Sequence, residues 1–584
     1  MFKLAKKLTK KDVLFFLFSI VFIVLNVWLE LKIPDYMSEI TVLVQTEGSL
    51  MSDILKEGIF MLLCALGSLA TAVVVGYLAA HIGSSYAKTL RKSIFNKVGE
   101  FSAAEIKSFS TSSLITRTTN DIRQVRMFIV MGIQMLIKAP IMAIIALSKI
   151  ANKGIEFSII TAVGVVIVLI LITILIIVVL PKFKIIQTLT DNLNRITREN
   201  LTGIRVVRAY NAEEYQNARF EKANSELTET NLFTQKAMAI MSPVMSTIMS
   251  SVSLAIYWVG TYLINEAAML DKIEIFSNMV VFSSYAIQVI MSFMMLVILF
   301  IIYPRASVSA KRINEVLETE PMIKDGQIAS DTTKLKGVVE FKNVSFKYPD
   351  AEDYILKDIS FKANQGETVA FIGTTGSGKS TLINLIPRFY DATDGEVLID
   401  GVNVREMNLE YLNNKIGYVS QKAILFKGSI KENISFGVSK KGKPALKKIK
   451  EAIKIAQGED FVLNMPEKYN SEIAQSGTNI SGGQKQRLSI ARAIAREPEI
   501  YIFDDAFSAL DYKTDYNLRK ELNKYTKDAT KFIVAQRIGT IKDADKIVVL
   551  DSGKCVGIGT HEELLKNCRV YQEIVSSQFG KEAI

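Results

Sequence analysis

Six apolar runs fill the first half of the chain, each long enough to cross a bilayer, which takes about 20 residues. They start near Val13, Ile59, Met127, Phe157, Ala237 and Ile275. The first reads VLFFLFSIVFIVLNVWLEL and the fourth FSIITAVGVVIVLILITILIIVVL, and neither carries the polar stripe of a soluble amphipathic helix. Six such runs in one half predict a polytopic α-helical membrane bundle. The first follows Lys3, Lys6, Lys7, Lys10 and Lys11, as a signal peptide would. It is too long for one and no small-residue cleavage site follows, so it is expected to be retained.

The net charge of +11, from 70 Lys and Arg against 59 Asp and Glu, raises nucleic-acid binding as a first reading. The placement of the charges gives a different explanation. Basic residues gather before span one, after span two (Lys88, Arg91, Lys92, Lys97, Lys107) and after span four (Lys182, Lys184, Arg195, Arg198, Arg205, Arg208). The segment PDYMSEITVLVQTEGSLMSD after span one has none, and the one after span five has Lys272 alone. That asymmetry orients membrane proteins, and it puts both termini in the cytoplasm with no nucleic acid as partner. An apolar share of 49% excludes disorder. Cys64, Cys555 and Cys568 make no disulfide framework, and His81 and His561 make no metal site.

The connections after spans two and four are long and helix-favouring, so the spans are expected to continue as helices into the cytoplasm. From about Gly337 the composition becomes soluble. Short β-rich runs (VVEFKNVSF, ETVAFIG, EVLID, KIGYVS, EIYIFD, KFIVA, KIVVLDSG) alternate with helical ones, which predicts an α/β domain with a largely parallel sheet. The expected division is 1–318 for the transmembrane domain, 319–336 for a linker and 337–584 for the α/β domain.

After the strand-like ETVAFIG comes Gly373-Thr-Thr375-Gly376-Ser377-Gly378-Lys379-Ser380-Thr381, then a helical run. This is the phosphate-binding pattern G-x4-G-K-[ST] in its strand-loop-helix context. Backbone N–H groups and the helix N-terminus face phosphate oxygens, Lys379 reaches the β- and γ-phosphates, and Ser380 holds Mg2+. A second apolar strand, EIYIFD, ends in Asp504, placed as a Mg2+-binding carboxylate. Between them lies Ile480-Ser481-Gly482-Gly483-Gln484.

With these motifs the chain resembles an ATP-binding cassette exporter half-transporter over nearly its whole length: six spans followed by a P-loop nucleotide-binding domain. The resemblance implies ATP and Mg2+ as ligands. It makes Tyr348 the aromatic that stacks on adenine, Gln421 the glutamine that senses Mg2+ and faces the membrane domain, and Ser508-Ala-Leu-Asp511 the loop before the next helix. It also implies coupling helices on the inner connections, expected near Ser110–Asp121 and Glu199–Glu213.

Two positions depart from the family pattern. The general base after the Walker B aspartate is usually Glu, and here it is Asp505. The switch histidine expected after KFIVA is Gln536. A carboxylate withdrawn by a methylene, about 1 Å, can cost about 100-fold, and an amide cannot carry imidazole's proton. Binding without efficient hydrolysis is expected. In this family two cassettes pair head to tail, each ATP lying between one Walker A and the partner's signature. A deficient base beside an intact Ser481-Gly482-Gly483-Gln484 therefore resembles the degenerate subunit of a heterodimeric bacterial multidrug exporter, whose signature groups Ser481 and Gly483 complete the partner's site; a slow homodimer is the alternative. Lipid or peptide export and a non-transporting ATP-sensing regulator stay open. Within the spans, Lys138 in QMLIKAPIM is the costliest residue, with Asn26, Gln134 and Gln288 as weaker polar candidates. Met238, Met241, Met245, Met249, Met291, Met294 and Met295 are either a pliable pocket for hydrophobic or amphipathic compounds or ordinary packing.

Overall fold

The apolar runs sit in six helices, Lys10–Gln45, Met51–Gly99, Thr111–Ile150, Ile155–Thr202, Glu213–Glu266 and Lys272–Glu318. The computed structural model describes residues 7–46, 48–151, 155–268, 271–436, 438 and 445–579; Lys3 and Lys6 of the basic leader lie outside them. At 1.5 Å per residue the longest helix, 54 residues, runs about 81 Å against about 30 Å of hydrocarbon. The helices therefore continue well past a bilayer, as their polar ends require. The third is interrupted by two π-helical turns, Arg117–Asp121 and Gly132–Leu136. The core of this bundle is built on Phe282, Tyr285, Ile23, Val27 and Ile256, all buried.

Contacts divide the chain into two units. Met1–Gly99 and Ser110–Thr319 form the helical one, and Glu100–Phe109 joins Glu320–Ile584 in the other. The second unit thus includes a short helix, Ala103–Phe109, drawn from the connection between spans two and three. No separate short helix stands at the expected Ser110–Asp121: Ser110 is a cap, and Thr111–Asp121 begin the third long helix. Ser102 and Glu105 explain the difference: the Glu105 carboxylate accepts the Ser102 N–H at 2.6 Å and the Ser102 hydroxyl accepts the Ala104 N–H at 3.2 Å. These bonds start a helix at 103. Ser110, at φ 58°, breaks it and caps the next one. On the other inner connection the short helix Ile204–Ala209 falls within the expected Glu199–Glu213.

In the second unit, β1 (Val339–Phe346), β2 (Leu356–Ala363), β4 (Asp394–Ile399) and β5 (Val402–Asn403) form an antiparallel sheet in the order β2-β1-β4-β5. The core sheet uses β3 (Thr368–Gly373), β6 (Ile416–Val419), β9 (Ile500–Asp504), β10 (Thr530–Val534), β11 (Lys546–Asp551) and β12 (Lys554–Gly559), in the order β12-β11-β3-β10-β9-β6. The short strands β7 (Gly428–Ser429) and β8 (Glu472–Ile473) pair with each other. All neighbours in the core sheet are parallel except β12. Strands β9 and β10 are buried along their whole length, as parallel strands covered on both faces must be. Sites in such sheets form at the carboxyl ends of the strands, and β3, β9 and β10 deliver their C-terminal residues there. The polar stretch 320–336 is docked rather than free: Ile328 N–H donates to Glu406 O at 2.9 Å, and Asp331 pairs with Lys415 at 2.8 Å.

Candidate nucleotide site

Strand β3 ends at Gly373, whose φ of 158° and contact with the Leu550 carbonyl leave no room for a side chain. The loop returns through Gly378, at φ 95°, into the helix Lys379–Ile383. A Cβ on Gly378 would stand 2.7 Å from Leu356 Cδ2. The backbone thus curls into a concavity that only glycine permits at these two points. Lys379 Nζ lies inside it, donating to the Gly373 and Thr374 carbonyls at 2.9 and 2.8 Å and to Ser377 Oγ at 3.3 Å. Thr375 and Gly376 are exposed at the tip, and Ser377 is buried beneath. Burial lowers the Lys379 pKa, while the carboxylates of Asp505 and Asp504 pull it back up.

Ser380 Oγ donates to Asp504 Oδ1 at 2.7 Å. Two hard oxygen donors from different elements therefore converge at the mouth of the loop, a donor set that fits Mg2+. The Asp504 pKa is raised, chiefly by burial, with the Ser380 bond acting against it and Asp505 adding like charge. Next to it, Asp505 takes φ 48°, a left-handed conformation that Asp tolerates better than most residues. Its N–H donates to Val534 O at 3.0 Å and its carbonyl accepts the Ser508 hydroxyl at 2.9 Å.

The Asp505 carboxylate oxygen Oδ2 accepts two amides, Gln421 Nε2 at 3.2 Å and Gln536 Nε2 at 3.0 Å. Burial raises its pKa; the bonds from Gln421 and Ser508 act in the opposite direction. Tyr348 joins the site by its hydroxyl, 3.0 Å from Thr381 Oγ1, with Phe346 and Tyr390 edge-on to its ring. The structure thus gathers Tyr348, the loop 373–381, Gln421, Asp504, Asp505 and Gln536. Ser481 and Gly483 lie elsewhere. Ser481 caps the helix Gly482–Ala495 and a Cβ on Gly483 would lie 3.2 Å from Ala509 O; no hydrogen bond among the described residues joins them to the loop. Asp511 caps Tyr512–Tyr525, its pKa lowered by the Thr514 N–H. His561 is bound to Tyr571 at 2.7 Å and His81 contacts Phe15 and Tyr77, so neither stands in for a switch histidine.

In the helical unit, Lys138 Nζ pairs with Glu30 Oε1 at 2.8 Å, a partner the sequence reading left unnamed although Glu30 sits in the first run's VWLEL. Lys149 pairs with Asp35, which also accepts the Tyr285 hydroxyl. Asn26 donates to Ser68 O and to the Ser68 and Thr71 hydroxyls. Gln134 lies beside Gly76, and the side-chain oxygen Oε1 of Gln288 is buried without a hydrogen-bond partner among the described residues. Of the methionines, Met245, Met249, Met291 and Met294 line one cavity of about 630 Å3, with Ser246 and Tyr257 among their neighbours. Met238, Met241 and Met295 do not line it.

Residues 16–293 match the family described as ABC transporter transmembrane region, and residues 356–508 match the family described as ABC transporter. An uncharacterized ABC transporter ATP-binding protein of Mycobacterium bovis is 38% identical over 88% of this chain and 86% of its own. Another from Bacillus subtilis is 37% identical over 88% of each chain. A putative multidrug export ATP-binding/permease protein of Bacillus subtilis is 31% identical over 86% of this chain and 85% of its own. Among solved structures, a bacterial Atm1-family ABC exporter with ATP bound superposes with a TM-score of 0.81 at 22% identity, covering 98% of this chain and 99% of that one. The chain belongs to the ABC transporter family and joins that family's six-helix transmembrane region to its ATP-binding domain in an exporter fold.

Proposed function

We propose that this chain is one subunit of a heterodimeric exporter of hydrophobic or amphipathic compounds, and that it binds Mg-ATP without hydrolysing it efficiently. One observation carries the reading: Asp505, at the position of the general base, is held by the side-chain amides of Gln421 and Gln536 on the same carboxylate oxygen. An oxygen already accepting two N–H donors is a weaker proton acceptor, and the shorter side chain holds it back from a water that Glu would reach. Gln536, for its part, spends an amide hydrogen on Asp505 rather than on a phosphate.

The binding groups are in place. The loop 373–381 cradles phosphates, Ser380 and Asp504 would hold Mg2+ with Gln421 beside them, and Tyr348 offers its ring to adenine. Mg2+, when bound, supplies charge neutralisation across the phosphates. The exposed Ser481 and half-buried Gly483 would serve a second half-transporter that carries Glu and His at the two departed positions, with Asp511 near that junction. The methionine-lined cavity, which has no formally charged lining residue, and the relative named for multidrug export support the substrate class. The charge asymmetry of the loops and the bacterial relatives support a plasma-membrane location with both termini cytoplasmic. The test is phosphate release by the purified chain alone in nanodiscs, with Lys379→Ala as the control for contaminating ATPases. Little or no Lys379-dependent turnover is expected; robust turnover would replace the heterodimer with a homodimer.

A further inference from the structure

The helix Ala103–Phe109 is fixed to the nucleotide-binding unit by two contacts of different kinds. The first is an anchor. Glu105, only 5% exposed, accepts the Met322 N–H at 3.1 Å as well as its own helix's Ser102 N–H at 2.6 Å. The stacked pair Phe101 and Phe109, ring centres 5.7 Å apart, closes the segment on itself. The second contact reaches the nucleotide site. Lys107 Nζ stands 5.3 Å from the centre of the Tyr348 ring and 3.3 Å from Asp350 Oδ2, so one ammonium spans the aromatic and the carboxylate of a single turn.

Tyr348 is also held from the side of the domain, where its ring packs against the core of the antiparallel sheet. Its hydroxyl meets Thr381, one residue past Ser380, and two aromatic edges meet it from Phe346 and Tyr390. A cavity of about 260 Å3, lined by Ser102, Ala104, Met322, Tyr348 and Tyr390, lies between the turn and the segment, so the ring is open on that side. The ion pair is too exposed to contribute much by itself. The cation over the ring is the directional part: it sets the ring's tilt and draws on its π-density.

We infer that Lys107 is a positioning residue for base recognition, holding Tyr348 in the orientation that stacks on adenine. Occupancy of the base site is thereby linked to the seating of a segment that continues into spans two and three. By reciprocity, whatever shifts that segment changes affinity for the base by the same factor as base binding changes its seating. The inference rests on the reading of Tyr348 as the adenine-stacking residue.

The experiment measures binding of Mg-ATP and of Mg-tripolyphosphate, which has no base, to the full-length chain in nanodiscs. Lys107→Met should weaken Mg-ATP about 2- to 5-fold, the range of an exposed cation–π contact, and leave tripolyphosphate unchanged. Lys107→Arg should restore ATP binding, and Lys107→Met should have no further effect once Tyr348 is Leu. Unchanged or tighter ATP binding in Lys107→Met, or an equal loss for both ligands, overturns the inference. Tyr348→Leu alone separates the two levels. If it weakens ATP no more than tripolyphosphate, the reading of Tyr348 fails. If it weakens ATP selectively while Lys107→Met does nothing, only the role of Lys107 fails.

Discussion

Burial gives Asp504 two opposed effects. A carboxyl whose pKa is raised in the folded protein favours folding most when it is protonated, at pH below its unfolded value. That contribution is lost as pH rises through the raised value, so at neutral pH the ionised carboxylate costs stability. The same ionised form is the one a divalent cation needs, so proton and metal compete at a higher pH than at an ordinary aspartate. Mg-ATP binding by the full chain should therefore weaken on acidification before the usual aspartate range is reached. Asp504→Asn, which keeps an oxygen for the Ser380 bond, should be more thermostable than wild type without ligand. It should lose the stabilisation that wild type gains from Mg-ATP, about 2.7 kcal/mol at 100 times Kd. Thermal unfolding with and without Mg-ATP reads both effects; a variant that is less stable without ligand and still gains from Mg-ATP contradicts the account. The placement of Asp504 at a strand end and of 373–381 between strand and helix was legible because their motifs state the element before and after them. The doubled amide on Asp505 was not, since Gln421, Asp505 and Gln536 lie on three separate segments that only the sheet brings together.

Among elements, the polar stretch after the sixth span shows how composition can mislead. Its Asp, Ser, Thr and Gly residues read as a linker, yet it is held down by a charge cluster that has no local signature. Lys415, 6% exposed at its side chain, contacts Asp331, Asp400 and Glu499 at 2.8, 2.9 and 2.8 Å. Burial opposes its charge, but the three carboxylates outweigh that and raise its pKa. Asp400 is buried and also accepts the Val338 N–H at 2.9 Å, so removing the lysine leaves a carboxylate without its counter-charge. Lys415→Met should cost about 3–5 kcal/mol, the usual penalty for breaking a buried pair. It should also expose 320–336 to protease earlier than any other segment of the second unit. Thermal unfolding and limited proteolysis of the full chain check this; an unchanged melting temperature would mean that the cluster is solvated and structurally idle. The short helix Ala103–Phe109 carries the complementary lesson. Its start signal, Ser-x-x-Glu at 102–105, is legible in the sequence, whereas the resemblance alone pointed to Ser110–Asp121.

For the whole molecule, the six spans and the α/β domain were the most legible features, because bilayer-length apolar runs and an ordered set of phosphate-binding motifs each admit few folds. What a second subunit contributes is not written in one chain, so the proposal of a non-hydrolysing site has to be tested by changing this chain's chemistry. Asp505→Glu and Gln536→His are expected to raise the ATPase activity of the isolated chain together far more than either does alone. The structure gives the reason. Gln536 and Asp505 share a hydrogen bond, so Glu placed opposite an unchanged Gln536 remains clamped by an amide, while His placed opposite Asp505 still faces a short carboxylate. Contacting residues acting on one phosphate and one water are coupled rather than additive. Recovering a base and its orientation should be worth on the order of 100-fold in kcat, with little change in the affinity for Mg-ATP because the loop 373–381, Ser380, Asp504 and Tyr348 are untouched. Steady-state phosphate release by the two single variants and the double variant, each paired with Lys379→Ala, gives the coupling directly. If the single changes restore activity independently and multiply to the double, the two residues do not act as one unit and the clamped Asp505 is not what holds hydrolysis back.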